Sequence, residues 1–239
     1  MSDLLETAIV AHGGWERWQE LRKLTAHVSV SGGLLQAKGK GDALADVHLT
    51  LDLHRQHVER SPFGMPGLHS VYEPERTAVL TDTGEVIEAR EAPREAFASH
   101  GYATPWDDQH LIYFSGYAMW TYLTTPFLFK LPGFHTEEVA PWEEDGEIWR
   151  RLKVTFPADV HGHSTEQTVY FDAAGILRRH DYSVDVVGGT NSANYAVNPK
   201  SFGGIVYPTQ RRIYVTGPDN RPLPGRVVLS IDVHDIEIG

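Results

Sequence analysis

Between Gln167 and Val184 the chain spells a β-hairpin. Gln167, Val169 and Phe171 alternate with Thr168 and Tyr170. Asp172-Ala173-Ala174-Gly175 supplies a turn whose glycine suits a positive φ, and Ile176 to Val184 runs back as a second strand. The same alternation recurs along the chain. Leu24, Ala26, Val28 and Val30 alternate with Thr25, His27 and Ser29; Val47, Leu49, Leu51 and Leu53 alternate with His48, Thr50, Asp52 and His54. Period-2 runs of this kind build antiparallel sheet with one buried face, which sends His27, His48 and His54 to the solvent side.

Further strands are expected at Leu34 to Lys40 (a short return after Gly32-Gly33), Leu68 to Tyr72, Thr77 to Thr81 and Glu85 to Ala89. After Leu131-Pro132-Gly133 they resume at roughly 134–140, 147–156, 163–171, 176–186, 192–197, 205–216 and 226–237. Turn signals such as Glu144-Asp145-Gly146, Gly188-Gly189 and Gly203-Gly204 divide them. Many short strands at this spacing argue for a barrel or a strongly curved sheet. No internal repeat or linker-like stretch interrupts the pattern, so one domain is expected over 1–239.

Two segments read as helix. In 3–22, Leu4, Leu5, Ala8 and Ile9 recur at helical spacing, Trp15, Trp18 and Leu21 continue the series, and Gly13-Gly14 divides it into two pieces; Ser2 is placed as an N-terminal cap. In 107–129, Asp107 caps a segment with large side chains almost all round, and Pro126 ends or kinks it. A surface helix has a narrower apolar stripe, so this one is either buried on most sides or forms one wall of a cavity. Pro93 to Ser99 suggests a further turn or two of helix.

The charge narrows the possible partners. With 32 acidic against 21 basic residues, the net charge of −11 disfavours nucleic acid and anionic membrane surfaces. There is no cysteine, hence no disulfide, thiolate metal site or cysteine nucleophile. No apolar run approaches the roughly 20 residues of a membrane span, and no basic n-region with an apolar h-region precedes Gly13-Gly14, so a cytoplasmic protein is expected.

Chemistry-bearing residues are scattered. His161-Gly162-His163 would put two imidazoles on one side of a strand, but Glu166 falls on the opposite face, and no metal or cofactor is expected. Period 2 groups His180, Tyr182 and Tyr195 with Gln167 and Arg211 on the inner face. A buried arginine there needs an acid, a ligand carboxylate or a phosphate as partner. His180, Tyr182 and Arg211 are the candidate acid–base set. Tyr113, Tyr117, Trp120, His163, Gln167 and Tyr195 are the candidate ligand contacts.

The order of elements, with helix 3–22, strands 24–54, helix 107–129 and the closing strands, resembles the LolA/LolB-type fold. There, an N-terminal helix precedes a strongly curved antiparallel sheet whose concave side is plugged by mid-chain helices. Gln167 to Asp172, Leu177 to Tyr182, Val187 to Gly189 and Phe202 to Arg212 also resemble a set of uncharacterised bacterial proteins. The resemblance implies a mainly β chain with inserted helices (α+β), a half-open β-barrel plugged by a central helix, and a cavity for an acyl chain or other hydrophobic molecule. Three readings follow. The first is a protein that binds a hydrophobic or amphipathic small molecule. The second is a cofactor-independent isomerase, cyclase or hydratase of secondary metabolism, which rests on the grouping of His180, Tyr182, Tyr195 and Arg211. The third is a structural or partner-binding module without a pocket.

Overall fold

The computed structural model describes residues 3–225 and 227–239. The cap placed at Ser2 lies outside them. Two short helices open the chain, α1 (Asp3–Ala11) and α2 (Trp15–Glu20), divided as expected at Gly13 and Gly14, whose φ of 122° and 88° suit glycine alone. Gly13 is required a second time, because a Cβ there would collide with the carbonyl of Gly204.

The strands are β1 (Lys23–Ser31), β2 (Val47–Asp52), β3 (Val58–Ser61), β4 (Leu68–Glu73), β5 (Arg76–Thr81) and β6 (Val86–Glu91), followed after the long helix by β7 (His135–Glu144), β8 (Glu147–Thr155), β9 (Glu166–Phe171), β10 (Leu177–Val184), β11 (Thr190–Phe202), β12 (Ile205–Val215) and β13 (Leu229–Ile238). They form a single 13-stranded sheet in the order β6-β5-β4-β3-β2-β1-β13-β12-β11-β10-β9-β8-β7, antiparallel at every junction. The chain meanders from the middle to one edge, crosses to the other edge, and meanders back until β13 pairs with β1. Right-handed twist accumulated over so many strands curls the sheet into an open half-barrel.

The crossing contains helix α4 (Asp108–Thr124). Asp107 accepts from the His110 amide at 2.9 Å while the His110 ring accepts from the Asp107 amide at 3.3 Å, a reciprocal cap. Every residue from Gln109 to Thr124 is buried, which explains why the sequence shows no polar face: the helix fills the concave side and has no solvent side. Gly116 sets its closeness to the sheet, because a Cβ there would collide with the Tyr72 ring.

The segment after Gly32 corrects one expectation. It is not a return strand but a short helix, α3 (Gly33–Ala37). Leu34 and Leu35 are both buried, and adjacent residues on a strand would face opposite sides. Leu-Leu-Gln-Ala also lacks the β-branched residues that favour strand. A second correction concerns His163. β9 starts only at Glu166, so His163 belongs to the preceding loop, held where its carbonyl accepts from the Asp185 amide at 3.0 Å. A third concerns Tyr195. It pairs with Arg179 across β10–β11 and therefore faces the convex side, opposite His180 and Tyr182.

Candidate functional site

An apolar cavity lies between α3, α4 and the inner faces of β1 and β10–β13. Val30, Leu34, Phe114, Met119, Ile213 and Ile231 form much of its wall. Its free volume, with the open mouth included, is about 670 Å³, but the channel is narrow, a slit. A guest of any length must therefore part the wall, and Met119, with its unbranched thioether, is suited to move. Small residues on α4 make the room: Ser115 and Ala118 precede Tyr122 by two turns and one, on the same helical face.

Polar groups collect at one end, where Tyr122, His163, Tyr182 and Ser192 line the cavity. They are linked. The Tyr117 hydroxyl lies 3.1 Å from His163 Nδ1, the Tyr122 hydroxyl 2.7 Å from His163 Nε2, and the hydroxyls of Tyr122 and Tyr182 are 2.5 Å apart. The Tyr182 ring stacks on His163 at 3.9 Å between centroids. Burial, with Arg94 adding to it, pushes the His163 pKa down to about 3, so the ring is neutral near pH 7. A neutral imidazole has one N–H, so one of the two tyrosines donates to it and the other accepts from it. Burial drives the Tyr117 and Tyr182 phenols well up and Tyr122 up to about 12.

One residue further along each strand face comes a second polar row. His180 follows from Tyr182 and Asn194 from Ser192, and the register pairs His180 with Asn194 and Asn194 with Ile213; Arg211 lies one position beyond Ile213 on the same face, paired with Ala196. All three are buried. Arg211 donates through Nη2 to the Tyr122 carbonyl oxygen at 2.9 Å, and its guanidinium lies over the Tyr122 ring, 4.6 Å from the centroid. Its Nη1, both ring nitrogens of His180 and both amide atoms of Asn194 have no hydrogen-bond partner among the described residues. The Asn194 amide nevertheless stands close enough to the Tyr122 and Tyr182 phenols to ease their ionisation slightly. Burial pulls the His180 imidazole well down, reinforced by Arg211 and His163, and lowers Arg211 to about 10, which leaves it cationic at neutral pH.

The residues singled out in the sequence divide as follows. His163 and Tyr182 line the cavity, Tyr117 supports His163, and His180 and Arg211 lie just behind the wall. Gln167 is buried beside Tyr182 in the register and donates to the Ser164 carbonyl at 2.9 Å. Tyr113 points elsewhere, to Arg94 Nη1 at 3.1 Å and His161 Nδ1 at 2.9 Å. The two histidines of His161-Gly162-His163 thus face different tyrosines. Trp120 donates to the Asp52 carbonyl at 2.8 Å and borders a separate, open groove with Phe134 and Val160. Tyr195 lies on the far side of the sheet, donating to Glu144 beside Arg179.

Sequence reasoning missed Tyr122 and Asn194. The small residues at positions 115 and 118 mark the Tyr122 face, and Asn194 falls in period with Ser192 on the strand that follows the hairpin.

No protein-family model and no curated protein matches the sequence. Solved structures do match the fold. A LolA superfamily protein from Nitrosomonas europaea superposes with a TM-score of 0.54 at 11% identity, covering 98% of this chain and 91% of that one. A domain assigned to outer membrane lipoprotein sorting from Vibrio parahaemolyticus gives 0.53 at 9% identity, covering 99% and 91%. A DUF1329 family protein from Desulfovibrio piger gives 0.53 at 10% identity, covering 98% and 90%. The chain has a LolA-like fold.

Proposed function

We propose that this protein binds a hydrophobic or amphipathic small molecule in the cavity between α4 and the concave face of β10–β13. The observation that carries this reading is a predominantly apolar lining with a small linked polar group, Tyr122, His163 and Tyr182, in one part of it. The LolA-like fold supports it, since one similar structure belongs to a lipoprotein-sorting domain. Native mass spectrometry of the purified protein, followed by denaturing extraction, tests it. A released lipid-like molecule near one per chain is expected, and Ala118→Phe, which fills the slit, should abolish it. Equal retention by that variant would show that the molecule sits elsewhere and would refute the reading.

The chain of hydrogen bonds from Tyr117 through His163 and Tyr122 to Tyr182 favours a second reading, a cofactor-independent isomerase, cyclase or hydratase. It ranks lower because acid–base catalysis at neutral pH works best with pKa values near 7, whereas burial moves His163 and His180 down and the phenols up. Of the candidate catalytic set His180, Tyr182 and Arg211, only Tyr182 lines the cavity. Extraction of a mixture of two isomeric compounds, converted to a single one by Tyr182→Phe, would reverse the ranking.

A further inference from the structure

The buried charge of this protein is arranged one-sidedly. Among the described residues the buried carboxylates are Glu144 and Asp181, and both lie on the convex face, where they enclose Arg179. The concave side holds two buried guanidiniums, Arg60 and Arg211, with no carboxylate within ion-pair distance among the described residues. Arg211 has the single bond to the Tyr122 carbonyl and an unpartnered Nη1. Arg60 donates to Ser115 Oγ at 2.6 Å and reaches Ser70 Oγ only at 3.5 Å. A buried cation without a counter-charge is costly. The chain does not lack acids to neutralise it, for it carries 32, yet none of the described ones is placed there.

Arg211 is also next to the cavity. Ile213, two residues on along the same face, and Ile231, its partner across β12–β13, both line the slit, as does Tyr122 beneath the guanidinium. The other orphaned atoms in this region, on His180 and Asn194, supply further donors and acceptors around the same point.

From this arrangement we infer that the ligand is an apolar-tailed anion, whose carboxylate or phosphate head is neutralised by Arg211 with Asn194 and Tyr182 as additional donors, and whose tail lies along Val30, Met119 and Ile231. The inference rests on the binding reading above and specifies the chemistry of its guest. A bidentate guanidinium–oxyanion contact would satisfy Nη1, and the head would replace water around the second polar row. A neutral lipid would leave the charge of Arg211 uncompensated.

The test is displacement of Nile red, an uncharged dye, from the delipidated protein by four guests of equal chain length: palmitate, hexadecyl phosphate, hexadecanol and methyl palmitate. The two anions are expected to displace the dye at concentrations at least roughly tenfold lower than the alcohol and ester. Which anion is stronger identifies the head. Arg211→Met should bind the dye and bring all four guests to parity, and Arg211→Lys should keep part of the preference. Equal displacement by acid and alcohol in the unaltered protein would overturn the anion assignment and leave hydrophobic binding intact; the orphaned atoms then hold buried water. A preference that survives Arg211→Met would overturn the role of Arg211. Absence of dye binding together with absence of any guest would take down the binding reading and this inference with it. The ranking in the unaltered protein decides the matter even if Arg211→Met does not fold.

Discussion

Protonation of His163 should make this protein acid-labile. The imidazole is buried, stacked on Tyr182 and bonded through both nitrogens to tyrosine hydroxyls. Its folded pKa lies at about 3 against 6.5 for the free side chain, so below pH 6.5 the unfolded chain takes up a proton that the folded chain does not. The stability it contributes is therefore fully present above about pH 6.5 and is lost as the pH falls toward 3. Integrating the linkage relation gives a loss of about 2 kcal/mol at about pH 5 and about 4 kcal/mol near pH 3 from this one residue. His180 and His12 are shifted in the same direction by burial and add to the loss. Against a net stability of about 5–15 kcal/mol, the His163 loss alone is a large fraction. The assay is urea unfolding followed by circular dichroism between about pH 8 and pH 5, for the unaltered protein and for His163→Gln. The variant keeps a donor and an acceptor for the tyrosines but cannot titrate. It should be weaker at pH 8 by about 1–3 kcal/mol, from poorer hydrogen bonds and lost stacking. Its loss between pH 8 and pH 5 should then be smaller than that of the unaltered protein by about 2 kcal/mol. Equal losses in the two proteins would refute the assignment of a neutral, low-pKa His163.

Two further substitutions probe the scaffold. Arg179→Met removes a fully buried guanidinium that donates to Asp181 at 2.6 and 2.9 Å and to Glu144 at 2.9 Å, leaving two buried carboxylates unpaired. It should cost about 3–5 kcal/mol in urea unfolding, and a cost under about 1 kcal/mol would mean that the convex network is solvated. Gly116→Ala places a methyl against the Tyr72 ring and should cost about 1–3 kcal/mol, measured as a lowered thermal midpoint; a neutral result would show that α4 can lift from the sheet without penalty.

The fold was largely legible because its information is local. Alternation marks a strand wherever one face is buried, and β1 and β2 emerge from it directly. The all-round apolar character of 107–129 signalled burial, since a helix enclosed by a curved sheet has no wet side. Gly13-Gly14 and Pro126 marked breaks because backbone geometry at those residues is intrinsic. The misreadings arose where neighbours distant in sequence decide. Leu34 to Ala37 is too short for a period to show, and its helical state follows from the cavity that Leu34 and Leu35 cover. His163 gained its two tyrosine partners from a loop whose path no periodicity records. Tyr195 was placed on the wrong face because a strand shows which residues share a side but not, at a long and partly polar strand such as β11, which side is concave.

The sequence by itself thus determined the composition of the sheet, the two helical segments and the excess of negative charge, because residue type and spacing act within a few positions. Tertiary structure alone decided that Tyr117, Tyr122, His163 and Tyr182 form one chain of hydrogen bonds, that Arg179 meets acids while Arg211 meets none among the described residues, and that the slit lies beside Ser115 and Ala118. Those relations depend on strand register and sheet curvature, which bring together side chains dozens of residues apart.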